Sequence, residues 1–307
     1  MPVKSTLASS VGPSAGPPVR RRLEWGLVPA VPVPFRAGTL AEDAQRAYAS
    51  WMARQNVAGV AVWAHTGRGL HLSAEQRRCV LATWRSALRD KVLVAGAGSL
   101  EMASDARAGG ADALLAFPRR EDPVDYHRAL GRELPVIAFY LYEAAGGVPY
   151  DDDTLRALLD LPEVIGIKVA TLDSVMTFQR IARLAAAYPE KLLVTGEDRF
   201  LGYSLMLGAR AALVGMGAAL TDLQVQLLAA YAAADHPTFL RLSALLDGFA
   251  AATFVRPMEG YVRRMLWALD ADGVLPADAC DDPWGPTFGA GEREAVRRAV
   301  REARAGV

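Results

Sequence analysis

Val164-Ile-Gly-Ile-Lys-Val-Ala170 is apolar on both sides of its alternation and is broken by a single lysine. A strand of this kind is covered on both faces, as in a parallel sheet packed beneath helices. Working outward, similar runs fall at Leu27–Val33, Val57–Trp63, Val92–Ala95, Ala111–Ala116, Pro135–Tyr142, Val164–Val169, Leu192–Thr195 and Ala211–Gly215. Between them lie amphipathic stretches with helix-start signals: Thr39-Leu-Ala-Glu42 and Ser73-Ala-Glu-Gln76 have the form of capping boxes. Eight strand–helix units predict an α/β protein, a (β/α)8 TIM barrel with a C-terminal helical extension. An open doubly wound sheet is the alternative, but the turn after the first strand lacks G-x-G-x-x-G. Beyond about residue 218 the pattern is helical only, over 219–233, 236–252, 257–269 and 290–304, interrupted by a Pro/Gly/Asp-rich loop at 271–289. The expected organisation is a flexible N-terminal tail over 1–22, a barrel over 23–232 and the helical extension over 233–307.

Composition narrows the function classes. The 307 residues carry 34 basic and 34 acidic side chains, so the surface has no electrostatic footprint for nucleic acid. Fifty-two per cent hydrophobic residues can bury a sizeable core. Two cysteines, Cys79 and Cys280, make no disulfide framework, and the expected location is the reducing cytoplasm. No apolar run approaches the length of a membrane span, so no membrane partner is expected.

Lysine is rare: Lys4, Lys91, Lys168 and Lys191 stand against 30 arginines. Lys168 alone sits inside a strand, near its C-terminal end, where barrel enzymes place reactive groups. Burial of an unpaired ammonium favours the neutral amine, and a neutral amine attacks carbonyls to give a Schiff base. The structural alternative is a lysine paired with an interior carboxylate such as Glu197. Tyr140 and Tyr142 share one face of the preceding strand by alternation, and a phenol there would relay protons for carbinolamine formation and dehydration; core packing is the alternative. Trp63-Ala-His-Thr-Gly-Arg68 ends the second strand, where a Thr–Gly turn offers amides and a hydroxyl to a carboxylate. His65 is a candidate acid or base, and Arg119 and Arg120 after the fourth strand are candidate anion contacts, with surface pairing as their alternative.

Several familiar sites are absent. No lysine follows a glycine as a P-loop requires, and H-E-x-x-H does not occur. Histidines 65, 71, 127 and 236 are scattered, so a zinc site is not expected, and Schiff-base chemistry at Lys168 requires neither a metal nor a diffusible cofactor. Gly96-Ala-Gly98 lacks a third glycine, and Asp151-Asp-Asp153 has the form of an N-cap cluster.

Taken in order, these segments resemble the dihydrodipicolinate synthase / N-acetylneuraminate lyase family of class I aldolases over about residues 24–290. The resemblance lies in Gly26-Leu-Val-Pro-Ala-Val-Pro-Val-Pro-Phe35, Ala64-His-Thr-Gly-Arg68 with Leu72-Ser-Ala-Glu75, Gly109-Gly-Ala-Asp-Ala113 with Phe117-Pro118, Gly166-Ile-Lys168, and Thr195-Gly-Glu-Asp198 with Leu207-Gly-Ala209. It implies a homodimer or homotetramer and a small 2-oxo acid substrate, commonly pyruvate, bound covalently to Lys168. The family's catalytic tyrosine, 28 residues before that lysine, falls on Tyr140; counted from Pro135 it arrives one residue late, which keeps Tyr142 as second choice. Thr66 and Gly67 would hold the substrate carboxylate, with His65 and Leu213 also assigned to substrate binding. Glu197 and Arg68 complete the candidate set.

Departures from the family pattern are equally specific. His65 replaces the first threonine of G-T-T-G-E and Arg68 its glutamate. Arg119 or Arg120 stands at the relay tyrosine, and Ala145 at the synthase arginine that grips the aldehyde's carboxylate. These argue against dihydrodipicolinate synthesis itself. The expected activity is a Schiff-base lyase acting on a 2-oxo acid by aldol cleavage or condensation. Alternatives are a sugar-acid dehydratase using the same imine and a non-catalytic ligand-binding barrel.

Overall fold

The computed structural model describes residues 18–307 apart from residue 173. Eight parallel strands follow one another: β1 (Leu27–Pro29), β2 (Gly59–Val62), β3 (Val92–Ala97), β4 (Ala113–Ala116), β5 (Val136–Leu141), β6 (Val164–Ala170), β7 (Leu192–Thr195) and β8 (Ala211–Val214). Each pairs with its neighbour in sequence from β2 to β8, and β8 pairs with β1. A single parallel bridge from Ala30 to Ala61 joins β1 to β2 and completes the (β/α)8 barrel. All eight expected strands are present. The first ends four residues early because Pro32 and Pro34 have no N–H to give a ladder.

Two apolar layers follow from strand alternation. Val28, Val94, Leu115, Phe139 and Leu213 fill the barrel interior, while Val60, Leu114, Ala138, Tyr140 and Val169 pack under the helices. Pairing between β5 and β6 slips by one residue: Val136 faces Val164, but Ile137 faces Gly166, leaving Ile165 extra. Above the slip, Phe139 pairs with Lys168 and Tyr140 with Val169.

Helices α1 (Pro18–Leu23) and α2 (Glu42–Ala53) flank the first strand. Of the tail expected over 1–22, residues 1–17 lie outside the described residues, whereas Pro18–Leu23 is helical and Leu23 is buried at the barrel floor. Thr39 caps no helix. Ala37 and Gly38, both at positive φ, turn the chain so that Phe35–Arg36 and Thr39–Leu40 pair as a short hairpin. The Ser73 box does form: its hydroxyl accepts from the Gln76 amide and the Gln76 side chain accepts from the Ser73 amide, opening α3 (Ala74–Ala87).

The barrel is completed by α4 (Leu100–Ala108), α5 (Pro123–Gly131), α6 (Asp152–Leu159), α7 (Val175–Ala185) and α8 (Leu201–Met206). Four further helices follow β8: α9 (Thr221–Ala232), α10 (His236–Thr253), α11 (Tyr261–Ala271) and α12 (Ala290–Ala305). Among the described residues no single helix is long and apolar enough to cross a membrane. The connection from α10 to α11, residues 254–260, returns to the C-terminal end of the barrel. Buried Arg264 holds it there by donating to the carbonyls of Thr253, Val255 and Pro257.

Candidate active site

Lys168 points inward from β6 and is buried, its Nζ 4.1 Å from the centroid of the Phe139 ring on β5. Burial lowers its pKa from the ordinary lysine value, opposed by the carboxylates of Asp198 and Glu197. Asp198 is buried too, and its pKa is raised by that burial, against the amides of Met216 and Gly215 and the lysine charge. Its Oδ1 accepts from the Met216 amide at 2.7 Å, which aims the carboxyl across the barrel mouth. The chain after β7 must pass very close to the lysine: a Cβ on Gly196 would lie 2.5 Å from Lys168 Cε. Glycine is therefore required at that position.

Beside the lysine lies a chain of polar groups drawn from both ends of the sequence. Thr66 Oγ1 and Tyr261 Oη are 3.0 Å apart, Tyr261 Oη and His65 Nδ1 are 3.0 Å apart, and His65 Nε2 is 3.3 Å from Glu259 Oε2. A carboxylate only accepts, so His65 donates from Nε2 to Glu259 and accepts the Tyr261 proton at Nδ1. Tyr142 donates to the other oxygen of Glu259 at 3.0 Å. Burial alone would raise Glu259; the His65, Tyr142 and Arg68 donors outweigh it and hold its pKa near 2. Burial pushes Tyr261 and Tyr142 above the ordinary phenol value. Tyr261 therefore acts as a hydrogen-bonded neutral phenol with a carboxylate-backed imidazole behind it.

The cavity over Lys168, about 20 Å³, is bounded by His65, Thr66, Phe139, Tyr142, Asp198 and Tyr261 among others. A space of that size holds about one water. Sharing Tyr142, Leu172 and Phe254 as walls is an outer chamber of about 510 Å³.

The structure sorts the expected residues into three groups. Lys168, His65, Thr66 and Tyr142 come together in the cavity. The amides of Thr66 and Gly67 have no backbone acceptor among the described residues, as a carboxylate-binding turn would need. Gly67 also admits no side chain, since a Cβ would lie 2.9 Å from the Val31 carbonyl. Tyr140 is placed differently: it faces the helices, on the side of β5 opposite Lys168, and Phe139 holds the inward position. Tyr140 and Tyr142 do not share a face because the strand stops at Leu141.

Arg68, Glu197 and Leu213 have structural partners. Buried Arg68 grips both oxygens of Asp282, at 3.1 and 2.7 Å, and reaches Glu259, tying the β2 turn to the C-terminal segments. Glu197 accepts from the Thr171 amide, the Thr171 hydroxyl and the Leu172 amide; burial raises its pKa to about 8 against those donors. Leu213 packs in the barrel interior, paired with Val28. Arg119 and Arg120 are exposed beyond β4, where the Arg119 backbone is tied to the Tyr150 hydroxyl and its guanidinium lies over Tyr126.

Sequence reasoning missed Asp198, Glu259 and Tyr261. Asp198 was within reach, as the last residue of the Thr195-Gly-Glu-Asp198 match. No local signal marks Glu259 or Tyr261, which come from the helical extension nearly 200 residues after His65.

The chain matches the model of the dihydrodipicolinate synthetase family over residues 24–303. It is 26% identical over 249 residues to a 4-hydroxy-tetrahydrodipicolinate synthase of Anaplasma marginale, covering 76% of this chain and 81% of the relative. To the enzyme of the same name from Roseobacter denitrificans it is 27% identical over 289 residues, covering 88% and 98%. Among solved structures, a prophage protein of the dihydrodipicolinic acid synthase family from E. coli K12, in complex with pyruvate, superposes with a TM-score of 0.82. The identity is 20%, with 91% of this chain and 98% of that chain covered. The sialic acid aldolase of Ruminococcus gnavus gives a TM-score of 0.81 at 17% identity, covering 93% and 98%.

Proposed function

The chain belongs to the dihydrodipicolinate synthetase family, whose named members here are lyases, and from that premise we propose that it is a Schiff-base lyase acting on a 2-oxo acid of the pyruvate type. The observation that carries this reading is Lys168, a buried lysine at the C-terminal end of a barrel strand whose pKa is lowered by burial. Its neutral amine attacks the substrate ketone, forming a C–N bond and a carbinolamine. The carbinolamine oxygen takes a proton and leaves as water, giving the protonated imine. In aldol cleavage the C4 hydroxyl loses its proton, the C3–C4 pair flows into the imine, and an aldehyde departs. The remaining enamine is protonated at C3, and water then releases the 2-oxo acid and regenerates the amine.

Phe139 carries none of those protons, because it has no ionisable group. The proton carrier in this reading is Tyr261, hydrogen-bonded to Thr66 on one side and to the His65–Glu259 pair on the other. The phenol hands its proton to the departing hydroxyl, and the phenolate recovers one from the C4 hydroxyl as the C3–C4 bond breaks. The open amides of Thr66 and Gly67 hold the substrate carboxylate. The Phe139 ring face beneath Nζ favours the positive imine over the neutral amine.

Incubation with pyruvate and borohydride, followed by intact mass measurement, tests this. A pyruvyl-sized increment is expected on the unaltered chain and none on Lys168→Ala. If no member of a 2-oxo acid panel leaves an adduct, the lyase reading fails. Turnover assays then separate aldol cleavage, which releases an aldehyde, from dehydration through the same imine.

A further inference from the structure

The outer chamber carries chemistry that the imine does not use. Two arginines line it: Arg199, which follows Asp198 after β7, and Arg256, in the connection between α10 and α11. Many arginines elsewhere have carboxylate partners, as Arg180 has Asp152 and Arg304 has Asp222 and Asp272. Neither Arg199 nor Arg256 forms an ion pair among the described residues. Arg199 is nevertheless held in place: its Nη1 donates to the Phe254 carbonyl at 3.0 Å, and its buried Nε has no partner among the described residues. Arg256 is exposed. Glu143 is the acidic residue on the same lining, so the charged walls sum to one positive charge.

A guanidinium anchored at one nitrogen presents the rest of its fork in a fixed direction, the geometry that suits a carboxylate or phosphate. We propose that this chamber is a subsite for a second oxyanion. The substrate would then carry a terminal carboxylate or phosphate, in addition to the 2-oxo acid group at Lys168, and Arg199 and Arg256 would grip it. This rests on the lyase reading for the inner end only. Such a residue pair also replaces, from other elements of the fold, the anion contact missing at Ala145. A neutral polyhydroxyl chain would offer hydroxyl acceptors but leave the positive charge of both guanidinium groups unbalanced.

Two measurements test it separately from the imine. In the first, borohydride trapping compares 2-oxoadipate and its phosphonate-ended counterpart with 2-oxohexanoate, which has the same length and no terminal charge. The anion-ended acids should reach half-maximal adduct at concentrations at least tenfold lower, as expected for charge-assisted hydrogen bonds. Arg256→Gln, an exposed position that leaves the core untouched, should bring that ratio close to one, and so should Arg199→Gln. The lower of the two anion-ended values tells carboxylate from phosphate. Equal trapping of all three acids by the unaltered chain would overturn the subsite and leave the imine standing.

In the second, calorimetry on Lys168→Ala measures binding of adipate, which has no ketone. Salt-sensitive binding that weakens at least tenfold with Arg256→Gln is expected. Binding of that kind without any trapped adduct would keep the subsite and remove the imine. No adipate binding, with or without an adduct, would overturn the subsite.

Discussion

Phe139 sits beneath the Lys168 amine, and Asp198 is the carboxylate that opposes burial most in setting its proton affinity. Asp198 raises the lysine pKa, so its replacement by a neutral isostere lowers it further. Asp198→Asn keeps an oxygen for the Met216 amide and should move the onset of imine trapping to lower pH. A plot of trapping rate against pH measures this, and an onset at higher pH would show that the carboxylate serves another role. Lys168 was legible in the sequence, since a lone lysine in an apolar strand has few explanations. Its aromatic partner was not. A count of 28 residues back from Lys168 ends on Tyr140, but the slip at Ile165 adds a residue on β6 and puts Phe139 opposite the lysine. Chain spacing cannot register a bulge, and a one-residue slip changes which side chain faces inward.

At the scale of elements, the connection between α10 and α11 closes the barrel mouth and supplies Phe254, Arg256 and Glu259, and the first residue of α11 supplies Tyr261. Arg264 holds that connection by its backbone carbonyls and bonds Glu292 of α12 at 2.7 Å, with no exposed surface of its own. Arg264→Met would leave three carbonyls and a carboxylate without their donor. Removing one partner of a buried charged network costs roughly 3 kcal/mol or more, which should appear as a lowered Tm. Tyr261 begins the helix that Arg264 occupies, so imine trapping should slow in the folded variant as well. A lowered Tm with unchanged trapping would show that the connection does not position the phenol. Sequence periodicity located all four C-terminal helices, because each has an apolar face. The return of residues 254–261 over the barrel was hidden, since it depends on long-range contacts such as Arg68 with Asp282.

The whole molecule followed from a repeated pattern: eight apolar runs separated by amphipathic segments specify a barrel even where strand ends are displaced by prolines. The pH dependence of its stability lies in groups that this pattern treats as ordinary core. His127 on α5 is fully buried; its Nδ1 is 2.7 Å from the Pro123 carbonyl, and Nε2 has no partner among the described residues. Burial lowers its pKa from 6.5 to about 4. The unfolded chain therefore takes up a proton between those values while the folded chain does not. Stability from this group is complete above pH 6.5 and is lost as the pH falls towards 4. At 1.36 kcal/mol for each pKa unit, the loss between pH 7 and pH 5 is about 2 kcal/mol. His127→Asn retains a donor for the Pro123 carbonyl but does not titrate. Its denaturant-unfolding free energy should be lower than that of the unaltered chain at pH 7, with a smaller drop on going to pH 5. Parallel losses in the two proteins would place the acid sensitivity in other groups. Glu259 then governs a separate, more acidic step, since its stabilising contacts are lost only as the pH drops from 4.5 towards 2.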